Sequence, residues 1–260
     1  MNVAAYEVLK DMQLENQIAL ITGGTQGIGS ATAMSLAQDG ADIAIVARHD
    51  DEHAAAVRKK ILDLGRRCEM VVADVSSPDE ASCCVREASE RLGPISILIH
   101  SAGGPVPANI LDINHDDWYR AFDVHVHAAF HLCRAVLPAM RVRREGVIIL
   151  ISSAAGIRGC PANFAYQVVK GALPQFTRAL ARDFAGDNIR VNCVAPGIIR
   201  TSFHDPMTPE QRKHNLENRI PLRREGTAEQ VAELIKQLVV NEYMTGETVT
   251  IDGGLTMRIA

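Results

Sequence analysis

Tyr166 and Lys170 stand four residues apart in a stretch of helical composition, which puts both side chains on one face about a turn apart. A phenol held beside an ammonium is a proton donor that also serves as a base. The positive charge favours phenolate and lowers the tyrosine pKa from about 10 toward neutrality. Ser153, thirteen residues before Tyr166, offers a hydroxyl that can hydrogen-bond a substrate oxygen. Such a Tyr–Lys pair also occurs on many solvated helices, so its meaning depends on the elements that hold it.

Those elements alternate regularly. Ile18 to Thr22 is a short apolar run that ends in glycines, followed by helical composition from Ser30 to Asp39, a stop at Gly40 and a second apolar run from Ala41 to Ala47. Further strands are expected at Cys68 to Ala73, Ile95 to His100, Gly146 to Ser152, Arg190 to Ala195 and Glu247 to Ile251. Helices are expected at Asp51 to Leu64, Asp79 to Leu92, His115 to Arg144 with a break near Pro138, Asn163 to Ala185, and Thr227 to Val240. Seven apolar strands alternating with helices predict an α/β fold: a Rossmann-type, doubly wound parallel sheet with helices on both faces. Residues 1–15 read as a tail and 16–260 as a single catalytic domain. The stretch from Thr201 to Gly226 lacks clear periodicity and follows a strand's carboxyl end, where open α/β sheets bind ligands.

Composition narrows the class. Of 260 residues 47% are hydrophobic and 22% charged, as in a globular protein with a sizeable core, and the net charge of −4 gives no basic field for nucleic acid. No apolar run has the length of a membrane span, and the first residues lack a signal-peptide core, so the expected location is the cytoplasm. The six cysteines include no C-x-x-C pair and read as free thiols. His125, His127 and His131 invite a metal reading, but only the last two share a helix face and no H-E-x-x-H pattern is present; no metal is expected.

The turn Gly23-Gly24-Thr25-Gln26-Gly27-Ile28-Gly29 lies between the first strand and helix. Backbone can approach a pyrophosphate closely there, and a helix N-terminus offers unpaired N–H groups and a positive dipole end. The alternative is a merely tight turn.

With Thr22-Gly23-x-x-x-Gly27-x-Gly29, Ser153 and Tyr166-x-x-x-Lys170 in this order, the chain resembles the short-chain dehydrogenase/reductase family from about Ile18 to its C-terminus. Asp74-Val75, Ser101-Ala102-Gly103, Pro196-Gly197-Ile198-Ile199-Arg200-Thr201 and Asp252-Gly253-Gly254 also match. The resemblance implies hydride transfer between a nicotinamide and a ketone or secondary alcohol. Tyr166 would move the proton, Lys170 would lower its pKa and bind the nicotinamide ribose, and Ser153, favoured over Ser152 by its spacing, would polarise the substrate oxygen. It further implies cofactor contacts at Gly23, Thr25, Gln26, Gly27, Ile28 and Gly29; at Asp74 and Val75 for adenine; at Ser101, Ala102 and Gly103; and at Pro196, Gly197, Ile199 and Thr201 for the nicotinamide. Asp74 reads equally well as a turn cap. The family's enoyl-reducing branch separates Tyr and Lys by six residues rather than three, which disfavours carbon–carbon double-bond reduction. Ala47 stands where an acid would read an adenosine ribose, and Arg48 follows, which favours NADP(H) over NAD(H), although Gln26, Asp50 and Asp51 argue the other way.

Three positions depart from the family pattern. His125 occupies the place of an asparagine that links the active lysine to solvent through a water, and is expected either to continue that relay or to displace the water. His100-Ser101-Ala102-Gly103 replaces Asn-Asn-Ala-Gly. Pro174 falls inside the Tyr166–Lys170 helix and is expected to kink it. Thr201 to Gly226 should cover the substrate, of 3-oxoacyl or sugar/polyol type. Only one of two arginines that carrier-protein reductases use for their acidic partner is present, with His131 and Arg182 at those positions. A homotetramer acting on a small carbonyl or alcohol is the resemblance-based expectation. The alternatives are a sugar dehydrogenase using NAD, a non-catalytic dinucleotide-binding regulator, and a dehydratase or epimerase on a related fold.

Overall fold

The structure, a computed structural model, describes residues 13–257. The expected tail through residue 12 lies outside them. Seven strands form one parallel sheet: β1 (Ile18–Thr22), β2 (Asp42–Ala47), β3 (Cys68–Val72), β4 (Ile97–His100), β5 (Gly146–Ile151), β6 (Ile189–Pro196) and β9 (Thr248–Ile251). A separate two-stranded pairing joins β7 (Ile199–Arg200) to β8 (Gly226–Thr227). The sheet order is β3-β2-β1-β4-β5-β6-β9, the Rossmann arrangement, with its topological switch between β1 and β4.

The strands are apolar on both faces because both faces are covered. Leu20, Leu98, Ile148 and Val191 point into one core, shared with α3 (Pro78–Leu92), α5 (Ala128–Arg143) and α6 (Phe164–Phe184). Ile21, Ile99, Ile149 and Val194 point into the other, shared with α1 (Gly27–Gln38), α2 (Glu52–Asp63) and α8 (Ala228–Val240). Side-chain caps start several of the helices: Asp51 accepts from the Ala54 amide at 3.0 Å, and Thr227 with Gln230 forms a capping box on α8.

Three expectations need correction. Helix α1 begins at Gly27, inside the glycine turn, rather than at Ser30. The long helix does not break near Pro138. It breaks after α4 (His115–Phe122), in a π-turn at Asp123–His127, where the Ala128 amide reaches back five residues to the Asp123 carbonyl. Pro138 is tolerated in α5 because it and Arg134, whose carbonyl loses its donor, are exposed and water can take the freed group. Residues between Thr201 and Gly226 are not structureless: they hold a 3-10 turn at Ser202–His204, α7 (Pro209–His214) and a second π-turn at Asn215–Arg219.

The segment from Thr201 to Gly226 is tied at its rear by a buried carboxylate. Glu225 accepts from Arg212 of α7 at 2.9 Å and from Arg200 of β7 at 3.3 Å. At its front, Ser202 Oγ donates to Gln26 Oε1 at 3.2 Å, so the segment reaches across to the glycine turn.

Candidate active site

The residues singled out in the sequence converge on the carboxyl edge of the sheet. The glycine turn follows β1, Arg48 follows β2, Asp74 and Val75 follow β3, and Ser101 to Gly103 follow β4. Ser153 follows β5, and Pro196 and Gly197 end β6.

The glycine turn fits a dinucleotide. Gln26, at the N-cap of α1, makes no side-chain cap and the first turn carries no acid, so the N–H groups there have no protein anion to serve. A Cβ on Gly29 would sit 2.2 Å from the Gly23 carbonyl oxygen, and one on Gly23 would sit 3.0 Å from Ala102 Cα. At Gly27 (φ +54°) an added carbon would meet only Thr201, at 3.4 Å. Thr25 and Ile28 are partly buried within the same turn. Across from it, Gly197 donates to Ile251, Ile199 is buried in β7, and Thr201 opens the 3-10 turn.

Arg48 is exposed and makes no hydrogen bond or ion pair among the described residues. Desolvation would raise the Asp74 pKa, but the hydrogen bonds from Ser76 and the charge of Arg48 together lower it. Asp74 accepts from the Ser76 amide and hydroxyl at 3.0 and 2.7 Å and so caps its own turn. Asp51 is turned onto the α2 terminus, where it accepts from the Ala54 amide at 3.0 Å.

Lys170 is buried, and its Nζ donates to the Ile151 carbonyl at 2.7 Å. Desolvation lowers its pKa to about 8. Tyr166 differs from expectation: burial pushes its phenol up to about 12, and the hydrogen bond with Ser153 only partly opposes this. The Lys170 ammonium stands 5.6 Å from the tyrosine ring centroid and faces a carbonyl, so it does not bring the phenol toward neutrality. Tyr166 packs against Phe203, from the segment after β7, on one side and against His125 on another, each with ring centroids 5.8 Å away. The sequence placed Phe203 in the cover but held no signal of this contact.

His125 lies in the π-turn and is buried. Its Nε2 donates to the Gly104 carbonyl at 3.2 Å, which leaves Nδ1 as an acceptor, buried and without a partner among the described residues. Gly103 (φ +143°) must lack a side chain, since its Cβ would fall 2.1 Å from the imidazole Cε1. Burial, then the charge of Lys170, holds His125 neutral well below its ordinary pKa. His127 is on the outside, paired with Asp123 at 2.8 Å.

His100 takes a part that the sequence left open. Because the π-turn sends the Ala128 amide to Asp123, the Val124 carbonyl is released, and His100 Nε2 donates to it at 3.1 Å. His100 Nδ1 then accepts from the Thr22 hydroxyl at 2.9 Å, while Thr22 Oγ1 accepts from the amides of Ser101 and Ala102 at 3.2 and 3.1 Å. Every proton in this set has one place, and only neutral His100 satisfies it.

A Rossmann sheet with an uncapped glycine turn and a Ser–Tyr–Lys site at its carboxyl edge defines a nicotinamide-dependent oxidoreductase. A family profile described as "Enoyl-(Acyl carrier protein) reductase" matches residues 23–256. The chain is 34% identical over 248 residues to the 3-oxoacyl-(acyl-carrier-protein) reductase of Thermotoga maritima, covering 95% of this chain and 100% of the relative. Among solved structures it resembles a blue fluorescent protein from a metagenomic library in complex with NADPH, at TM-score 0.88, 30% identity and coverage of 94% and 99%. It also resembles L-sorbose reductase from Gluconobacter frateurii complexed with NADPH and L-sorbose, at TM-score 0.87, 28% identity and coverage of 96% and 100%. The chain belongs to the short-chain dehydrogenase/reductase family. It is an oxidoreductase that acts on carbonyl or CH–OH groups with NAD(P).

Burial lowers the His100 pKa to about 4. Below pH 6.5 the unfolded chain binds a proton that the folded protein refuses until about 4, so stability falls as pH falls through this window. Urea unfolding should show a loss of roughly 2 kcal/mol from this group between pH 6.5 and 5. His100→Asn, which keeps an acceptor for Thr22, should flatten the slope by about one proton; an unchanged slope would show that His100 is not held neutral.

Proposed function

We propose that the protein is an NADP(H)-dependent carbonyl reductase, working in the cytoplasm on a ketone of 3-oxoacyl or sugar/polyol type. The observation that carries this is the phenol of Tyr166 held by Ser153 one turn from a buried Lys170. With its pKa raised to about 12, Tyr166 is protonated at neutral pH, the state from which it donates to a carbonyl oxygen. Ser153 orients that oxygen and stabilises the charge it gains. The bound nicotinamide supplies the hydride. Lys170 holds the ribose side, the amides of Gln26 to Gly29 face the pyrophosphate, and Thr201 with the Ile199 backbone faces the carboxamide. Asp74 and Val75 border adenine, Ser101 to Gly103 line the ribose side, and Pro196 and Gly197 complete the nicotinamide wall. Arg48, exposed and without a hydrogen bond or ion pair among the described residues, receives the 2′-phosphate. Residues 16–260 work as one catalytic domain, with residues 201–226 covering the substrate.

His125 does not store the proton, since its pKa lies far below that of Lys170. Its unpartnered Nδ1 instead accepts from a water and orients it toward the lysine. The exposed apolar side chains of Phe130 on α5 and Val168 on α6 support assembly through these helices, toward a homotetramer.

A panel of ketones and polyols, run with NADPH and NADH and followed by absorbance of the reduced nicotinamide, tests the reaction. Tyr166→Phe should lose at least about 100-fold in turnover while binding NADPH; retained function would favour a regulator. Arg48→Ala should cut the NADPH-to-NADH preference about tenfold or more, and a wild type that prefers NADH would remove the role given to Arg48. His125→Phe should lower kcat across pH while His125→Asn keeps most of it, whereas equal activity of both denies His125 any part in proton transfer. Sedimentation should give four times the chain mass; a monomer would rule out the proposed assembly.

A further inference from the structure

Pro174 and Ser152 have no part in the chemistry above, yet they meet at one atom. Pro174 lies four residues past Lys170 inside helix α6, which runs on from Phe164 to Phe184. In a regular helix the amide of residue 174 would donate to the carbonyl of residue 170, and proline has no N–H. The carbonyl left without its helix donor is therefore that of the active-site lysine. An unpaired buried carbonyl costs as much as a lost hydrogen bond. Ser152 supplies the missing donor: its hydroxyl, on a residue 2% exposed, donates to the Lys170 carbonyl at 2.6 Å. The Gly156 backbone covers the same group so closely that a Cβ there would sit 2.8 Å from the Lys170 oxygen.

We infer that Ser152 and Pro174 act as a pair that positions Lys170, the proline releasing the lysine carbonyl from its helix and the serine tying it to the end of β5. This rests on the reading of Tyr166 and Lys170 as the proton-handling pair. Three consecutive residues then hold three points of the active turn. Ile151 takes the ammonium, Ser152 holds the lysine carbonyl, and Ser153 holds the phenol. A helix amide would fix the carbonyl only relative to its own helix. The serine fixes it relative to the residue that orients the substrate oxygen, and misplacement of reacting groups by about 1 Å can lower rates a hundredfold.

Four proteins test this: the unmodified chain, Ser152→Ala, Pro174→Ala and the double variant. The ratio of kcat between serine and alanine at position 152 should be about tenfold with proline at 174 and under about twofold with alanine there, where a helix amide takes over the carbonyl. The pH profile of kcat should shift in Ser152→Ala and return in the double variant. Equal ratios in both backgrounds overturn the pairing. A Ser152→Ala protein that loses Tm but keeps kcat and its pH profile overturns the positioning role. If the unmodified protein turns over no carbonyl compound, the reading of the reaction fails separately. NADPH titration of the same four proteins then decides: a Kd ratio of about fivefold that vanishes with Pro174→Ala supports the pair, and equal Kd values overturn it.

Discussion

A helix carbonyl that leaves its own ladder and is taken by a side chain from the end of the sheet is the interaction on which this site depends. It occurs twice. In α6, proline removes the amide that would reach Lys170, and Ser152 at the end of β5 replaces it. In the π-turn, the Ala128 amide passes over Val124, and His100 at the end of β4 claims the released carbonyl. Each exchange costs a helix bond and returns one of comparable strength. What changes is the frame of reference. The helices carrying Lys170 and His125 are registered on strand ends rather than merely packed against the sheet.

That registration matters because Lys170 is a cation with no carboxylate partner among the described residues. Its Nζ faces a backbone carbonyl in a buried place, and desolvation brings its pKa down to about 8. An ammonium held this way is kept charged at neutral pH by the position of a few dipoles, and small displacements change their effect steeply. The same burial keeps Tyr166 protonated and both His100 and His125 neutral. The site therefore contains several titratable groups whose states are fixed by geometry and desolvation, with one cation among them.

The fold was legible because strands buried on both faces must be apolar throughout, and runs such as Val147 to Ile151 permit little else. The glycine turn, Ser153, Tyr166 and Lys170 were legible by spacing. Spacing carries no information on burial, and burial is what sets the direction of the Tyr166 shift. The π-turn has no residue signature, and Pro138 drew attention to the wrong place in the helix. Thr208 and Gln211 form a capping box for α7, a spacing present in the sequence among the charges of that segment. Pro174 was half legible: counting back four residues reaches Lys170, but only the folded chain brings Ser152 to the vacated carbonyl.

The buried Glu225 gives the covering segment a mechanical character of its own. With Arg200 and Arg212 drawn to one carboxylate, α7 is fastened to the β7–β8 pairing, and Ser202 rests on the glycine turn at the other end. A segment held at both ends behaves as a bridge, not a flap. The span between these ties carries the ring that packs on Tyr166, and within it His204 Nδ1 donates to the Ile199 carbonyl at 2.8 Å.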